Sequence, residues 1–474
     1  MRRYLPRSAA AVAAAAVVVT AGIAAPAGAG AAPATGRAWA RVTPNPSPTY
    51  NFLAGVSAVS RSDAWAVGSY NDATTGASKT LILHWNGTAW RQVKSPSPGP
   101  VFSELEAVSA VSGSDAWAVG DYWNRTGTAS ETLILHWNGT AWSQVKSPNP
   151  SQVSAGAGAN GLSGVSARSG SDAWAIGGYD SNGRPATLIL HWDGTAWTQV
   201  PSPNVPNHDF SLDGVSAVSG SDAWVVGVGG IFGGATDSTL ILHWDGTAWT
   251  QVPSPSPSSI SYNELHGVSA VSGSDAWAVG FYNATEIGPI KTLILHWNGT
   301  AWAKVKSPDP SCPHYSYSYN ELYGVSAVSG SDAWAVGDYG DCDFATGKAA
   351  TLVAHWNGTA WVNASAIPTS TSVSSSANPV TTGSPVTYTA TVAHAPADDG
   401  GTVAFHDNGS LISSCSHKAL SSGRATCTVT YAAAGSHTIK ATYSGYADYA
   451  RSTSPPLTET VNTPAAASVP VSPR

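Results

Sequence analysis

Short runs of apolar residues, broken by polar turn residues, recur along most of this chain of 474 residues. In one stretch they cover positions 105–111, 116–119, 132–137 and 141–145, and they are rich in Val, Ile, Leu, Thr and Trp. Each run is flanked by Gly, Ser, Asn or Asp residues, which is typical of β-strands. No run shows the apolar spacing of an amphipathic helix. The pattern therefore predicts groups of four short β-strands.

Such a four-strand group occurs six times in succession. Its first half reads Leu-x-Gly-Val-Ser-Ala-Val-Ser-Gly-Ser-Asp-Ala-Trp-Ala-Val-Gly, and its second half ends in Thr-Leu-Ile-Leu-His-Trp-Asn-Gly-Thr-Ala-Trp, with small variations. Successive first-half tryptophans are 52, 57, 50, 53 and 57 residues apart, a period typical of repeat arrays. The repeated first-half tryptophans and the repeated histidines are Trp65, Trp117, Trp174, Trp224, Trp277, Trp334, His84, His136, His191, His243, His296 and His355.

The connections within each unit are short, which predicts an antiparallel meander of four strands. Ser-Gly-Ser-Asp joins the first two strands, with Arg61 in place of Gly in the first unit, and Asn-Gly or Asp-Gly joins the last two. These pairs favour a type I′ turn, in which both central residues have positive φ. Because one such sheet cannot bury both of its faces, the units are expected to stack radially. The sequence predicts an all-β fold with a six-bladed β-propeller over residues 36–364.

A seventh copy of the fourth strand indicates how the ring closes. Each fourth strand begins Trp-x-x, mostly with Val next and prolines following, and a separate copy begins at Trp39, before the first unit. We expect residues 39–42 to form an outer strand that completes the last blade. A seventh blade is the alternative.

The repeats resemble known propeller families. Their period is similar to that of kelch units, and Trp-Asn-Gly-Thr-Ala-Trp resembles the Asp-box hairpin, although the full Ser-x-Asp-x-Gly-x-x-Trp pattern is not present. The resemblance implies a propeller and does not specify an activity.

The sequence changes character after the repeats. Residues 365–370 are predicted to be a linker, residues 371–462 contain alternating strand runs without tryptophan, and residues 463–474 are predicted to be a disordered tail. The runs at 383–392 and 401–405 resemble the bacterial Ig-like domain of group 3. This resemblance implies a β-sandwich that serves as a spacer or an adhesive unit.

The N-terminal segment and the composition of the chain indicate where the protein is located and which partners are expected. Residues 1–31 combine arginines, an Ala-rich apolar stretch and small-residue cleavage sites, which predicts a signal peptide and a secreted protein. No later stretch is apolar enough to span a membrane. Charged residues make up 11% of the chain, the net charge is −7, and no basic stripe is present, so nucleic acid is not an expected partner. We expect a monomer.

The four cysteines of an exported chain are expected to be oxidised. Cys415 and Cys427 flank one predicted hairpin of the Ig-like domain, and Cys312 and Cys342 lie in connections around the sixth unit. We predict the disulfides Cys312–Cys342 and Cys415–Cys427, although the sequence alone does not prove this connectivity.

The repeated histidine is interpreted as structural. A metal or catalytic site needs one constellation, whereas this histidine occurs once per unit and always precedes a tryptophan. Each unit offers Ser, Asp, Trp and His in that order, which loosely resembles the hydrogen-bond network of WD-type propellers. The repeated tryptophans are likewise explained by packing.

Function is expected where the repeat varies. In a meander of this kind, the connections between strands two and three and those between units emerge on one face, and these are the long and variable ones. Their aromatic, amide and carboxylate side chains suit a carbohydrate, and oxygen ligands of this kind also suit calcium. No other cofactor and no catalytic residue is predicted. The candidate ligand-binding residues are Asn51, Glu104, Trp123, Asn160, Tyr262, Glu264, Tyr319 and Glu321. The alternative is that the Tyr or Phe, Glu and Leu residues before the first strand of a unit only cap and pack the start of that strand.

These observations favour a secreted, non-catalytic binding or adhesion protein that recognises a polysaccharide or a cell-surface component through the variable face of the propeller. The alternative is an extracellular carbohydrate-active enzyme, a glycosidase or lyase, that uses carboxylates at the mouth of the channel. A glycosidase needs two carboxyl groups at a set separation, and chain position cannot test that distance.

Overall fold

The structure is a computed structural model. It describes residues 16–19, 46–151, 159–181, 183–204, 208–231, 236–259, 261–285, 288–310, 319–340, 349–396, 399–446 and 449–464. The chain divides into two compact units; most residues up to Val362 belong to the first, and Asn363 onward belongs to the second.

The first unit contains six sheets, each with four antiparallel strands that follow one another in chain order. The first strands of the sheets are β2 (Asn51–Ser60), β6 (Ser103–Ser112), β10 (Asn160–Ser169), β14 (His208–Ser219), β18 (Asn263–Ser272) and β22 (Asn320–Ser329). The second strands are β3 (Asp63–Asn71), β7 (Asp115–Trp123), β11 (Asp172–Asp180), β15 (Asp222–Ile231), β19 (Asp275–Asn283) and β23 (Asp332–Gly340). The third strands are β4 (Ser78–Trp85), β8 (Ser130–Trp137), β12 (Pro185–Trp192), β16 (Asp237–Trp244), β20 (Ile290–Trp297) and β24 (Ala349–Trp356). The fourth strands are β5 (Trp90–Val93), β9 (Trp142–Val145), β13 (Trp197–Gln199), β17 (Trp249–Gln251), β21 (Trp302–Val305) and β25 (Trp361–Asn363).

The six sheets are the blades of a propeller, which confirms the predicted fold. All six first strands line one central cavity, so they are the innermost strands of the blades. An additional short strand, β1 (Ala16–Val19), pairs in parallel with β2 and lies within the predicted signal peptide. The predicted closing strand at residues 39–42 lies outside the described residues. The sixth blade has its own fourth strand, β25, so its four strands are present without that copy.

Tryptophan packing joins successive blades. Trp117 is fully buried, and its ring centroid lies 5.0 Å from that of Trp192 and 5.2 Å from that of Trp197, which belong to the third and fourth strands of the next blade. The same arrangement holds for Trp65, Trp174, Trp224 and Trp277. Trp334 of the last blade differs, because it is 40% exposed. Each of these five interfaces between blades therefore has the same aromatic packing.

A hydrogen bond also links each pair of neighbouring innermost strands in this series. The backbone N–H of Ala110 donates to the Ser57 hydroxyl of the preceding blade at 3.0 Å. Equivalent bonds run from Ala167 to Ser109, from Ala217 to Ser166, from Ala270 to Ser216 and from Ala327 to Ser269. The repeated Ser therefore has a structural use: it satisfies a backbone donor where two blades meet.

The repeated histidine lies within each blade between an aspartate and a tryptophan. His136 Nε2 is 2.9 Å from Asp115 Oδ1, and its ring stacks on Trp117 with centroids 4.1 Å apart. All six blades share this contact, at 2.8–3.0 Å. The contacts provide a structural use for the repeated His, Asp and Trp.

The turn between the third and fourth strands differs from the prediction. Trp85 pairs with Trp90, so the loop between them contains four residues rather than two. Gly87 has a φ of 87°, but Asn86 is not among the residues with positive φ. The Asn86 carboxamide oxygen instead accepts a hydrogen bond from the backbone N–H of Thr88 at 3.1 Å. The type I′ prediction was wrong because the Asn side chain, and not a left-handed backbone, closes the loop.

The second unit is a β-sandwich, as predicted for the Ig-like domain. One sheet has the order β26-β28-β32, and the other has the order β27-β35-β33-β29-β30, with β31 and β34 at its margins. Tyr388, Phe405 and Tyr443 are fully buried in the core between them. The strands are β26 (Ser370–Ser375), β27 (Val380–Thr381), β28 (Pro385–Ala393), β29 (Thr402–Asp407), β30 (Ser410–Leu411), β31 (Lys418–Ala419), β32 (Arg424–Thr430), β33 (Gly435–Tyr443), β34 (Ser452–Thr453) and β35 (Leu457–Asn462), with one 3-10 turn at Ser413–Cys415.

The predicted disulfide between Cys415 and Cys427 is present and buried in this core. Cys312 and Cys342 lie outside the described residues, and their pairing stays a prediction.

Removal of the Cys415–Cys427 disulfide is expected to lower the free energy of unfolding of the Ig-like domain. The bond closes a loop with a sequence separation of 12, for which loop-closure entropy predicts about 3 kcal/mol. Denaturation of a Cys415→Ser/Cys427→Ser variant, followed by circular dichroism, measures this loss. Because all 20 tryptophans precede residue 362, tryptophan fluorescence of the same samples reports on the propeller alone. An unchanged Ig-like transition would contradict the prediction.

Candidate functional site

A β-bulge occurs at the same place in every innermost strand. In β10, Leu162 pairs with Gly177 and Gly164 pairs with Ile176, so Ser163 is an extra residue between two paired positions. A bulge disrupts the ladder locally and re-aims the side chain of the extra residue. The six bulged residues are Ala54, Glu106, Ser163, Asp213, His266 and Tyr323.

The bulged residues line the central cavity, whose volume is about 270 Å³. Each blade contributes its bulged residue, the Gly or Ala that follows and the next Val. The glycines allow the innermost strands to converge: a Cβ atom on Gly214 would lie 2.8 Å from the carbonyl oxygen of His266. Since the other two positions are nearly constant, the bulged residues set the chemistry of this cavity.

Blades four, five and six form a continuous polar wall. His266 Nδ1 lies 3.7 Å from Asp213 Oδ2 on one side, and His266 Nε2 lies 3.7 Å from Glu264 Oε2 on the other. The imidazole is 5.6 Å from the Tyr323 ring, measured between centroids, and its side chain is 12% exposed. An imidazole held between two carboxylates therefore lies beside an aromatic ring at the cavity.

Blade two presents a cluster of three carboxylates. Glu104 and Asp121 are directly opposite each other on β6 and β7. The Glu106 side chain is exposed to water in the channel, but much of its surroundings is protein. Ser69 donates a hydrogen bond to Glu104 at 3.3 Å, and Ser130 donates one to Asp121 at 2.6 Å. Burial and the charges of Glu104 and Asp121 raise the pKa of Glu106 to about 8, and burial raises the pKa of Asp121 to about 6.

Blade six repeats the carboxylate pair. Glu321 and Asp338 are opposite each other on β22 and β23, and the Tyr323 hydroxyl donates a hydrogen bond to Glu321. Burial raises the pKa of Asp338, and burial together with Glu321 raises the pKa of Tyr323 above its usual range. Tyr323 is therefore neutral over the physiological range and acts as a hydrogen-bond donor.

Two of the predicted site residues make structural hydrogen bonds. Asn51 accepts a bond from the backbone N–H of Ser47 at 3.0 Å and donates one to its carbonyl oxygen at 2.6 Å. Asn160 likewise accepts from Ser151 N–H at 2.9 Å and donates to the Ser130 carbonyl at 3.1 Å. Both side-chain amides therefore form hydrogen bonds that hold neighbouring backbone segments at the start of an innermost strand.

The other predicted site residues fall into two groups. Glu104, Glu264 and Glu321 each lie two positions before a bulged residue, next to the cavity. Trp123, Tyr262 and Tyr319 are at strand ends, and Trp123 is 44% exposed at the end of β7. The structure thus brings the three glutamates close to the cavity lining and leaves the three aromatic residues at the strand ends.

Sequence reasoning missed the bulged residues themselves. Glu106, Ser163, Asp213, His266 and Tyr323 were not among the predicted site residues, yet they line the cavity. The signal was present: the residue after the constant Leu varies from unit to unit within an otherwise constant strand. This variation lies inside a strand, whereas the prediction relied on variation in the connections between strands.

Two kinds of feature are absent from the part of the chain that the structure describes. There, no group of three or more His, Cys, Asp and Glu side chains has a geometry that could hold a metal ion. Within the same residues, no helix has the length and apolar character needed to cross a membrane. The interpretation that the oxygen ligands of the variable face also suit calcium stays untested.

Comparisons with known proteins identify the second domain. Residues 373–462 match the family model of the bacterial Ig-like domain (group 3). No curated protein matches the chain.

Several solved structures are similar to this chain. A PL25 polysaccharide lyase, an ulvan lyase, is 10% identical with a TM-score of 0.40, and the similarity covers 70% of this chain and 88% of that one. A GH74 xyloglucanase from Xanthomonas campestris is 12% identical with a TM-score of 0.23, covering 72% and 53%. An endo-arabinase from Bacteroides thetaiotaomicron is 10% identical with a TM-score of 0.25, covering 51% and 87%. At these values the similarities carry no information about what this chain binds.

Proposed function

We propose that this protein is a secreted, non-catalytic binding protein whose propeller recognises a glycan, from a polysaccharide or a cell surface, at the central channel. The observation that carries the proposal is the set of six bulged residues. They differ in chemistry from blade to blade, whereas the surrounding scaffold is nearly constant, and they converge on one cavity. Variable side chains on a rigid scaffold are the usual arrangement of a recognition site.

The cavity chemistry suits a polyhydroxylated ligand. Carboxylates accept hydrogen bonds from sugar hydroxyls. His266 and Tyr323 each add a polar group together with an aromatic ring at the cavity. Aromatic rings can pack on the apolar face of a sugar while their polar atoms remain hydrogen-bonded. The Cys415–Cys427 disulfide supports the extracellular location, because disulfides persist in oxidising compartments.

The hydrogen-bond pattern favours binding over catalysis. Glu104 and Asp121 accept bonds from serines, and Glu321 accepts one from Tyr323, so these carboxylates already have fixed protein partners. One observation supports the enzyme alternative: at neutral pH, Glu106 with its pKa near 8 retains a proton, as a general acid would. Only an enzyme would cleave the bound glycan, so the following experiment also tests for cleavage.

The test is a glycan array, followed by calorimetric titration of the best ligand with the secreted protein. A His266→Ala/Tyr323→Ala variant is expected to bind that ligand at least about tenfold more weakly, since it removes the aromatic and hydrogen-bonding wall of the cavity. Tryptophan fluorescence during denaturation checks that the variant propeller is folded. A Trp123→Ala variant tests the strand-end location on the same ligand.

Three results would overturn parts of the proposal. If no glycan binds the intact protein, the function is wrong. If Trp123→Ala abolishes binding and the cavity variant does not, the location is wrong. If the bound glycan is cleaved, and a Glu104→Gln/Glu264→Gln/Glu321→Gln variant loses cleavage but retains binding, the enzyme alternative is correct.

A further inference from the structure

A short strand from the N-terminal part of the chain lies at the central cavity. β1 pairs in parallel with β2, with Ala16 opposite Gly55 and Val17 opposite Val56. Gly55 and Val56 also line the cavity. β1 contacts β22 as well, the innermost strand of blade six. A segment of the predicted signal peptide is therefore next to the site at which the glycan is proposed to bind.

Blade one differs from the other blades at the edge where β1 is added. Its sheet has the order β1-β2-β3-β4-β5, whereas the described strands of each other blade form a four-stranded sheet that begins with its innermost strand. The bulged residue of blade one is Ala54, and the other five blades have Glu, Ser, Asp, His or Tyr at this position. Charged or bulky side chains at a strand edge hinder the addition of a strand. The small apolar side chain of Ala54 leaves this edge of blade one accessible.

The packing between blades six and one leaves space next to β1. Leu53 is 40% exposed, whereas the equivalent leucines of the other five blades are at most 2% exposed. This leucine normally packs towards the preceding blade, as Leu105 does in one buried cluster with Trp65. Trp334 of blade six is also 40% exposed. Blades six and one are thus less tightly packed than the other neighbours, and β1 contacts the innermost strand of both.

We propose that the N-terminal leader, residues 1–31, is autoinhibitory: while it is attached, residues 16–19 occupy the blade-one side of the channel and hinder glycan binding. This inference rests on the proposed function and concerns the regulation of the same site. Pairing with β2 stabilises the strand, because an added strand satisfies N–H and C=O groups of a sheet edge. The covalent tether stabilises it further, since it keeps the segment at a high effective concentration.

Removal of the leader would make the site available. The predicted cleavage sites lie at small residues up to position 31, so processing at any of them removes residues 16–19. The two forms of the protein share every blade and differ in the occupation of the channel. In the form that retains the leader, only molecules with β1 displaced can bind a glycan at this side, which lowers the apparent affinity.

A pair of introduced cysteines tests the contact itself, without any ligand. Val19 is opposite Ala58 in the ladder, and adjacent strands are about 5 Å apart, a separation that a disulfide spans. In the full chain with its leader retained, Val19→Cys/Ala58→Cys is expected to form a disulfide on mild oxidation, detected by peptide mapping. The control is Val19→Cys/Ala217→Cys, because Ala217 has the same position in the repeat of blade four. No cross-link to position 58, or equal cross-linking to both positions, would overturn the inference.

A comparison of affinities tests the regulation. The probe is the oligosaccharide that the glycan array selects for the secreted protein, titrated by calorimetry. We expect the full chain with its leader to bind it at least about tenfold more weakly than the secreted protein does. Val17→Pro/Val18→Pro in the full chain should bring the affinity to within about threefold of the secreted protein. Adjacent residues of a strand direct their N–H groups to opposite sides, so one of the two prolines removes a hydrogen bond to β2.

Two prolines elsewhere in the leader provide the matched control. Ala11→Pro/Val12→Pro changes the leader before β1 and should leave the full chain at least about tenfold weaker than the secreted protein. If this control restores binding as well as Val17→Pro/Val18→Pro does, the effect does not come from the strand and the inference is wrong. Equal binding by the full chain and the secreted protein would also refute the inference and leave the proposed function intact. If the secreted protein binds no glycan, both fail.

Discussion

Trp224→Ala is expected to lower the free energy of unfolding of the propeller by about 3–5 kcal/mol. Trp224 is fully buried, and its ring lies 5.0 Å from Trp297, 5.3 Å from Trp302 and 4.2 Å from His243, measured between centroids. Truncation would leave a large cavity at the interface between blades four and five. Urea denaturation followed by tryptophan fluorescence measures the loss, because the Ig-like domain contains no tryptophan.

The chain provides a matched control in Trp334. This residue has the same position in the repeat and the same stacking partner, with the His355 ring 4.1 Å away, but it is 40% exposed. Trp334→Ala should therefore cost clearly less, on the order of 1–2 kcal/mol, because part of its surface is already in water. An equal loss for the two variants would mean that burial between blades is not what makes the repeated tryptophan important.

Gly177→Ala should be among the most damaging conservative substitutions in the propeller, with an expected loss of at least about 3 kcal/mol. Gly177 pairs with Leu162 directly beside the bulge of β10. A Cβ atom there would overlap the carbonyl oxygen of Gly161 and lie 2.8 Å from the Cα atom of Leu162. Both obstacles are backbone, so relief requires the bulged strand to move. The yield of soluble protein and the urea midpoint measure the effect.

Gly161→Ala is the control on the neighbouring strand of the same blade. A Cβ atom at that position meets nothing closer than the Asp121 Cβ at 3.8 Å, which is ordinary contact distance. Its expected effect is within about 1 kcal/mol of the intact protein. If Gly177→Ala is as well tolerated as this control, the bulge does not depend on the glycine opposite it, and the explanation for the constant glycine is wrong.

Stability and the proposed recognition depend on separate positions of the same repeat. The tryptophans pack between blades, the histidines contact Asp and Trp within each blade, and several glycines lie against backbone atoms. All three are nearly constant from unit to unit. The register of the β-ladder skips the bulged residue, so its side chain can change without disturbing the ladder. This separation explains how six almost identical blades can present Ala54, Glu106, Ser163, Asp213, His266 and Tyr323 to one cavity.

The sequence alone was sufficient for the architecture. Strand number, blade number and the presence of a second, Ig-like domain followed from alternating apolar positions, from the tryptophan period and from the loss of tryptophan after Trp361. These signals are local or periodic, so no knowledge of distant contacts was needed. The Cys415–Cys427 disulfide was also predictable, because the two residues are 12 positions apart in one domain. The hairpin predicted between them is not formed, because β31 pairs with β29 and β32 pairs with β28.

Only the tertiary structure decided which variable residues meet. A bulge is a property of two paired strands, so Ser163 as an unpaired residue becomes visible only with the register of β10 on β11. The cavity exists because six innermost strands converge, which no single unit specifies. The raised pKa of Glu106 likewise depends on Glu104 and Asp121 from two strands together with burial. Convergence and burial join residues far apart in the chain, and for that reason the local sequence pattern indicated the variable loops and did not indicate the bulged residues of the channel.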